Sequence, residues 1–97
     1  LTFKEWLVAY QGEKDSQPRK TIITQISNEY PEKAADFLRQ NLDSDNSYVV
    51  QAEIIKQLGI VGDISDIDLI EGYTKIWSPR KIVNRSAKEA VSLLKEN

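Results

Sequence analysis

Ninety-seven residues, 40% of them hydrophobic and 29% charged, are enough for one small domain with a thin core and large solvated faces. The chain has no Cys and no His, which excludes disulfides, zinc sites of the usual N/S kind and catalysis through a histidine or a cysteine nucleophile. A net charge of −2 argues against a general nucleic-acid binder, and no apolar run approaches the ~20 residues of a membrane span.

Taken in chain order, the sequence divides into six helix-length pieces. Phe3, Trp6, Leu7 and Tyr10 recur at i, i+3, i+4, i+7 and predict a helix over 2–11, ended by Gly12. A polar connector leads to Pro18, which suits a first helical turn. Ile22, Ile23, Ile26 and Tyr30 then form the stripe of a helix over 18–29, which must stop because Pro31 disfavours the α region at Tyr30. Pro31 opens a third helix over 31–42, with Glu32 in its first turn and Ala34, Phe37, Leu38 and Leu42 along its apolar face.

The run Asp43-Ser44-Asp45-Asn46-Ser47 is a loop rich in capping residues. After it, Val50, Ile54, Leu58 and Val61 mark a helix over 47–59, with Gly59 to Gly62 suited to a left-handed end. Asp63 and Ser65 cap a fifth helix over 65–77, lined by Ile67, Ile70, Thr74 and Trp77, which places Trp77 in or beside the core. Gly72 weakens that helix by ~1 kcal/mol relative to Ala, and its position suggests a close helix–helix contact. Ser78-Pro79 reads as an N-cap followed by proline at the first helical position, opening a helix over 79–95 on Val83, Ala87, Ala90, Val91 and Leu94.

These pieces repeat. A shift of 33 residues carries Val50 onto Val83, Ile54 onto Ala87, Leu58 onto Val91, and Asp45-Asn46 onto Ser78-Pro79. A shift of 32 carries Pro18-Arg19 onto Val50-Gln51 and Ile22 onto Ile54. One helix pair cannot bury its own apolar face, whereas stacked pairs form a continuous core with mainly nearest-neighbour energetics. A non-repetitive bundle whose helices match in length by chance is the competing reading.

The stretch 43–63, DSDNSYVVQAEIIKQLGIVGD, resembles the HEAT-repeat pattern of Asp-x-Asp, a Tyr-Val start, Ala-Glu, Leu-Gly and Gly-Asp, and 78–94, SPRKIVNRSAKEAVSLL, resembles the first helix of a following repeat. The resemblance covers 43–95 and is weak over 1–42. It implies an all-α domain over 1–97, an α-α superhelix of about six short antiparallel helices forming a right-handed solenoid. Gln51 stands where the family often has Arg, which puts the family's Arg–Asp ladder between repeats in doubt. The opening FKEWLVAYQGEKDSQPRKTIITQI is similar to the segment that joins bacterial aminopeptidase N-like zinc peptidases to a C-terminal HEAT-like domain, with Glu5, Trp6 and Leu7 carrying the likeness. That family's HExxH and substrate-amine motifs are missing, so no catalytic residue is carried over.

Three constellations invite chemistry. The Asp43–Ser47 run starts like a calcium loop, but the sixth position is Tyr48 instead of Gly and the twelfth is Ile54 instead of Glu, so capping explains it better. Asp63, Asp66, Asp68 and Glu71 could gather a hard cation, although acids in a first helical turn are favoured by the helix dipole alone. Lys75, Trp77, Arg80, Lys81, Arg85 and Lys88 make the C-terminal third locally basic, which suits an acidic partner or phosphate, or a solvated face.

The chain begins at Leu1 and contains no Met, the expectation for a fragment of a larger protein. Phe3, Trp6 and Tyr10 would then offer an apolar patch to missing protein, with Arg80, Lys81 and Arg85 as a second interaction surface. The expected function is a non-catalytic helical-repeat scaffold or interaction domain without metal or cofactor. Its partner would be another domain of the same polypeptide or a second protein, not nucleic acid or membrane. The aminopeptidase likeness implies an alternative: the C-terminal domain of a bacterial cytoplasmic or periplasmic zinc aminopeptidase, shaping access to a catalytic domain elsewhere.

Overall fold

Most of the helices begin where a side chain accepts from the unpaired amides of a first turn or a proline removes one of those amides, and the sequence supplies these starts locally. In the computed structural model, which describes residues 1–96, Thr2 and Glu5 form a reciprocal capping box at the head of α1 (Phe3–Gly12). The Glu5 side chain accepts from the Thr2 amide at 2.8 Å, and the Thr2 hydroxyl accepts from the Glu5 amide at 3.1 Å. Tyr30 alone separates α2 (Ser16–Glu29) from α3 (Pro31–Leu42). Its extended-side φ of −133° is what a residue before proline is pushed towards. The N-cap of α4 (Tyr48–Val61) is Ser47, whose hydroxyl accepts from the Val50 amide at 3.4 Å.

The last two helices differ from the sequence reading. α5 covers only Ile67–Glu71, preceded by a single 3₁₀ turn at Ile64–Asp66, instead of running to residue 77. After Gly72 the backbone makes tight turn bonds, Tyr73 N–H to Ile70 O at 2.9 Å and Thr74 N–H to Glu71 O at 3.2 Å. The carbonyls of Thr74 and Ile76, which a longer helix would turn inward on itself, instead accept from the Asn84 side-chain amide at 3.0 and 2.5 Å. With the helical register broken, Trp77 is not carried into the core: it is 74% exposed.

α6 runs Ile82–Glu96 and starts three residues later than residue 79, because Arg80 and Lys81 have φ of +52° and +57° and residues 79–81 form a 3₁₀ turn. Ser78 still caps the helix, over a longer reach, its hydroxyl accepting from the Val83 amide at 3.2 Å and donating to Asn84 Oδ1 at 2.7 Å.

α4 is the centre of the packing, lying between α2 and α6 and also against α3. Its Ile54, Ile55 and Leu58 are fully buried, so two of its faces are covered at once. Against them lie Ile23 and Ile26 of α2, Leu38 and Leu42 of α3, Ile70 of α5, and Val83, Ala87 and Leu94 of α6, in one apolar cluster. α1 packs on α2, and α5 on α6. The backbone envelope measures 32 × 29 × 16 Å, and its short dimension suits two helix layers with axes about 8–10 Å apart. Among the described residues the chain is all-helical with no strand, and no helix is long and apolar enough to cross a membrane.

Two glycines have roles that the sequence did not disclose. Gly62 ends α4 at φ −81°, ψ −165°, an extended conformation, not a left-handed one. Its lack of a side chain makes room, since a Cβ there would lie 2.5 Å from Asp66 Oδ2 and 2.6 Å from the Leu58 carbonyl oxygen. Gly59 lies against Ala90 of α6, where a Cβ would meet the Ala90 α-carbon at 2.8 Å. Gly72, in contrast, has only ordinary contact at 3.4 Å with the Leu69 oxygen, so it marks a helix end and not a close helix crossing.

Candidate interaction surface

Tyr10, Phe3 and Trp6 sit on the inward face of α1, where α1 has to bury something to stay on α2. Tyr10 is 7% exposed and packs edge-on against Phe37 with ring centres 5.2 Å apart. Phe3 is half-buried, edge-on to Tyr30 at 5.7 Å and covered by the Lys33 ammonium at 5.7 Å. Trp6 is half-buried, its indole N–H donating to Glu29 Oε1 at 3.3 Å. These three rings are therefore engaged in intramolecular packing, and the large apolar side chains that this end exposes are Leu1 and Val8. Phe3 and Leu7 do line a groove of about 380 Å³ with residues of α3, but its rim carries Glu32, Lys33 and Asp36.

Tyr10 belongs to a buried polar cluster centred on Asp45. The Asp45 carboxylate is in the core, where it accepts from the Tyr10 hydroxyl at 2.6 Å, from Arg19 Nε and Nη2 at 3.0 Å each, and from the Ser47 amide at 3.0 Å. Burial alone would raise the Asp45 pKa, but the bonds from Arg19, Tyr10 and Ser47 outweigh it and hold the carboxyl below its usual value. The same burial, and then the bond to Asp45, push the Tyr10 hydroxyl well above its usual value. Every acceptor direction of the calcium-like loop's central acid is thus taken by protein.

A second tie of the same kind joins α3 to the turn before α5. Arg39 donates in two-pronged fashion to Asp66, at 2.5 Å from Nε and 2.9 Å from Nη2, and also reaches Asp36 at 2.7 Å. The Arg39 guanidinium is the main reason the Asp66 carboxyl lies below its usual value, against an opposing contribution from burial. Of the four acids considered for a cation, Asp66 is occupied by Arg39, Asp63 caps the 3₁₀ turn, and Asp68 and Glu71 face outward. Among the described residues no group of three such side chains could hold a metal ion.

Shifts of 32 and 33 residues along the sequence set the Arg19–Asp45 pair against two neutral side chains. Arg19 aligns with Gln51, and Asp45 with Ser78. The first step carries the charged pair Arg19–Asp45, whereas at the second both partners are neutral. Gln51 Nε2 donates locally to the Asp45 carbonyl at 2.7 Å, and its buried Oε1 has no partner among the described residues.

The acid response follows from the two carboxylates. A folded pKa below the unfolded one contributes stability above the unfolded value, near 3.9 for Asp, which is lost as pH falls through the folded value. With no His to titrate, thermal stability is expected to stay nearly level from about pH 8 to about pH 5 and then fall steeply. Melting curves across pH 2–8 read this, and Asp66→Asn should flatten the acid limb. A slope between pH 5 and 8 as steep as that below 4 would contradict it.

Arg80, Lys81 and Arg85 all lie on the surface at the other end of the chain. Arg80 and Lys81 join Lys75, Ile76 and Trp77 around a cleft of about 520 Å³, and Arg85 is tethered beside them, Nη2 donating to the Arg80 carbonyl at 3.0 Å. Phe3 and Tyr10 line two other grooves, so the residues expected to mediate contacts do not converge on one site. Comparison with protein-family models, curated proteins and solved structures gives no match for this chain.

Proposed function

We propose that the chain is a HEAT-like helical-repeat module, a non-catalytic scaffold that presents a surface to another domain or protein. The observation that carries this reading is the Arg19–Asp45 tie in its repeat register. It joins α2 to the loop that caps α4, the helix 32 residues further on, and the equivalent positions one step later, Gln51 and Ser78, are the ones where the charged pair is replaced by neutral side chains. The side-by-side order of α2, α4 and α6, with α1 on α2, α3 on α2 and α4, and α5 on α6, accords with stacked helix pairs.

If the repeats are equivalent, the missing rung is open to restoration. Gln51→Arg and Ser78→Asp, each neutral or destabilising alone, are expected to show a favourable coupling of about 1 kcal/mol when combined, read from a double-mutant cycle of urea unfolding curves. Strict additivity would remove the repeat reading. Turnover of peptide, ester or phosphoester substrates by the purified chain would remove the non-catalytic one.

A further inference from the structure

The loop between α5 and α6 carries backbone strain. Arg80 and Lys81 both occupy the left-handed region, which is strained for an L-residue and open to glycine. Long cationic side chains stand there instead. Between them and Lys75, Trp77 leaves 74% of its surface in solvent, its ring steadied by an edge-on contact with Tyr48 at 5.6 Å. The loop is held rather than loose, because buried Ser78 and the Asn84 amide fix its backbone from beneath. The cleft of about 520 Å³ formed in this way has three cations and no carboxylate in its lining.

We infer that this cleft is a docking site for an acidic peptide segment of a partner protein, one that carries an apolar side chain among its carboxylates. Lys75, Arg80 and Lys81 would take the carboxylates, and the Trp77 face the apolar group, a pairing of exposed ring and cations that suits a small preorganised interface. The charge distribution selects this occupant. Concentrating cations here in a chain with 15 acids and a net charge of −2 leaves the remaining surface the more acidic. A nucleic-acid duplex or an anionic bilayer would extend beyond the cleft and meet that repulsion, whereas a short acidic segment would not. The inference rests on reading the chain as an interaction module and gives that module a face.

The test uses the full chain and a labelled ten-residue Asp/Glu peptide with one central Leu, followed by fluorescence anisotropy at 50 and 300 mM salt. Saturable binding is expected at 50 mM and weaker binding at 300 mM. Trp77→Ala should weaken it about tenfold, the cost of one interface hot-spot side chain. The double variant Arg80→Gly/Lys81→Gly removes two cations and also relieves the backbone, so it should bind about tenfold more weakly while melting higher than the parent. That opposition separates a lost site from a lost fold. Absence of saturable binding at 50 mM, equal binding by all variants, or tighter binding to duplex DNA or phosphatidylserine vesicles than to the peptide would each overturn the inference. A coupled Gln51→Arg/Ser78→Asp pair alongside any of those results would leave the module reading standing and remove only the cleft.

Discussion

Asp45→Ala is expected to destabilise the chain by about 3 kcal/mol, the scale for breaking a buried hydrogen-bonded ion pair by removing one partner. The side chain is 4% exposed and its Arg19 partner 13% exposed, so neither falls in the class of surface pairs that contribute almost nothing. Deleting the carboxylate leaves Arg19 Nε and Nη2, the Tyr10 hydroxyl and the Ser47 amide without their shared acceptor, while Arg19 Nη1 keeps the Lys14 carbonyl. For a domain of this size the melting temperature should fall on the order of 15 °C. Tyr10→Phe removes one donor and leaves Asp45 with Arg19, so its cost should be nearer ~1 kcal/mol. Chemical unfolding of the two variants separates the cases. A loss below about 0.5 kcal/mol for Asp45→Ala would mean that the cluster is solvated and that the tie between α2 and α4 carries no weight.

That cluster also shows where sequence reading reached and where it stopped. The first four helices lie within two residues of their expected bounds because their starts and stops are local: the Thr2–Glu5 box, Pro31 after Tyr30, and Ser47 before α4. The expected core residues of α6, Val83, Ala87, Ala90, Val91 and Leu94, are all buried, since a long amphipathic helix announces its face through period alone. The partners of Asp45 stand 26 and 35 residues away in sequence, and nothing local distinguishes an acid awaiting a distant arginine from one that merely caps a helix. The alignment of Arg19 with Gln51 held the only hint.

The fifth helix falls short of its expected span for a related reason. Apolar spacing continues through Thr74 and Trp77, but Asn84, in the following helix, draws the carbonyls of Thr74 and Ile76 to itself. A weak helix containing Gly72 gives way to that tertiary bond. The exposure of Trp77 follows from it, so the ring at the cleft is not legible from apolar spacing. The basic residues around it are legible as composition, yet not the left-handed backbone that carries Arg80 and Lys81.

The same substitution at two glycines is expected to move stability in opposite directions, and the difference is the geometry of the α4–α6 crossing. In an exposed helix, Gly→Ala gains up to ~1 kcal/mol from helix propensity. Gly12, at the end of α1, has nothing within 4 Å of where a Cβ would go and no positive φ, so Gly12→Ala should stabilise by roughly that amount or a little less. Gly59 is equally helical, but its new methyl would lie 2.8 Å from the α-carbon of Ala90 and 2.9 Å from its methyl. The α-carbon belongs to the backbone and has no rotamer to yield, so α4 and α6 must separate across the most extensive helix packing in the fold. Overpacking of a tight core typically costs about 1–3 kcal/mol, which exceeds the propensity gain. Gly59→Ala is therefore expected to lose up to about 2 kcal/mol net, and Gly59→Leu about 3 kcal/mol or more. Ala90→Gly in the Gly59→Ala background should recover only part of the loss, because it removes the clash with the Ala90 methyl and leaves the one with the backbone of α6. Parallel urea titrations of the four variants decide it: a stabilised Gly59→Ala would mean that the two helices do not approach this closely in solution, and that small residues at 59 and 90 are not what sets their distance.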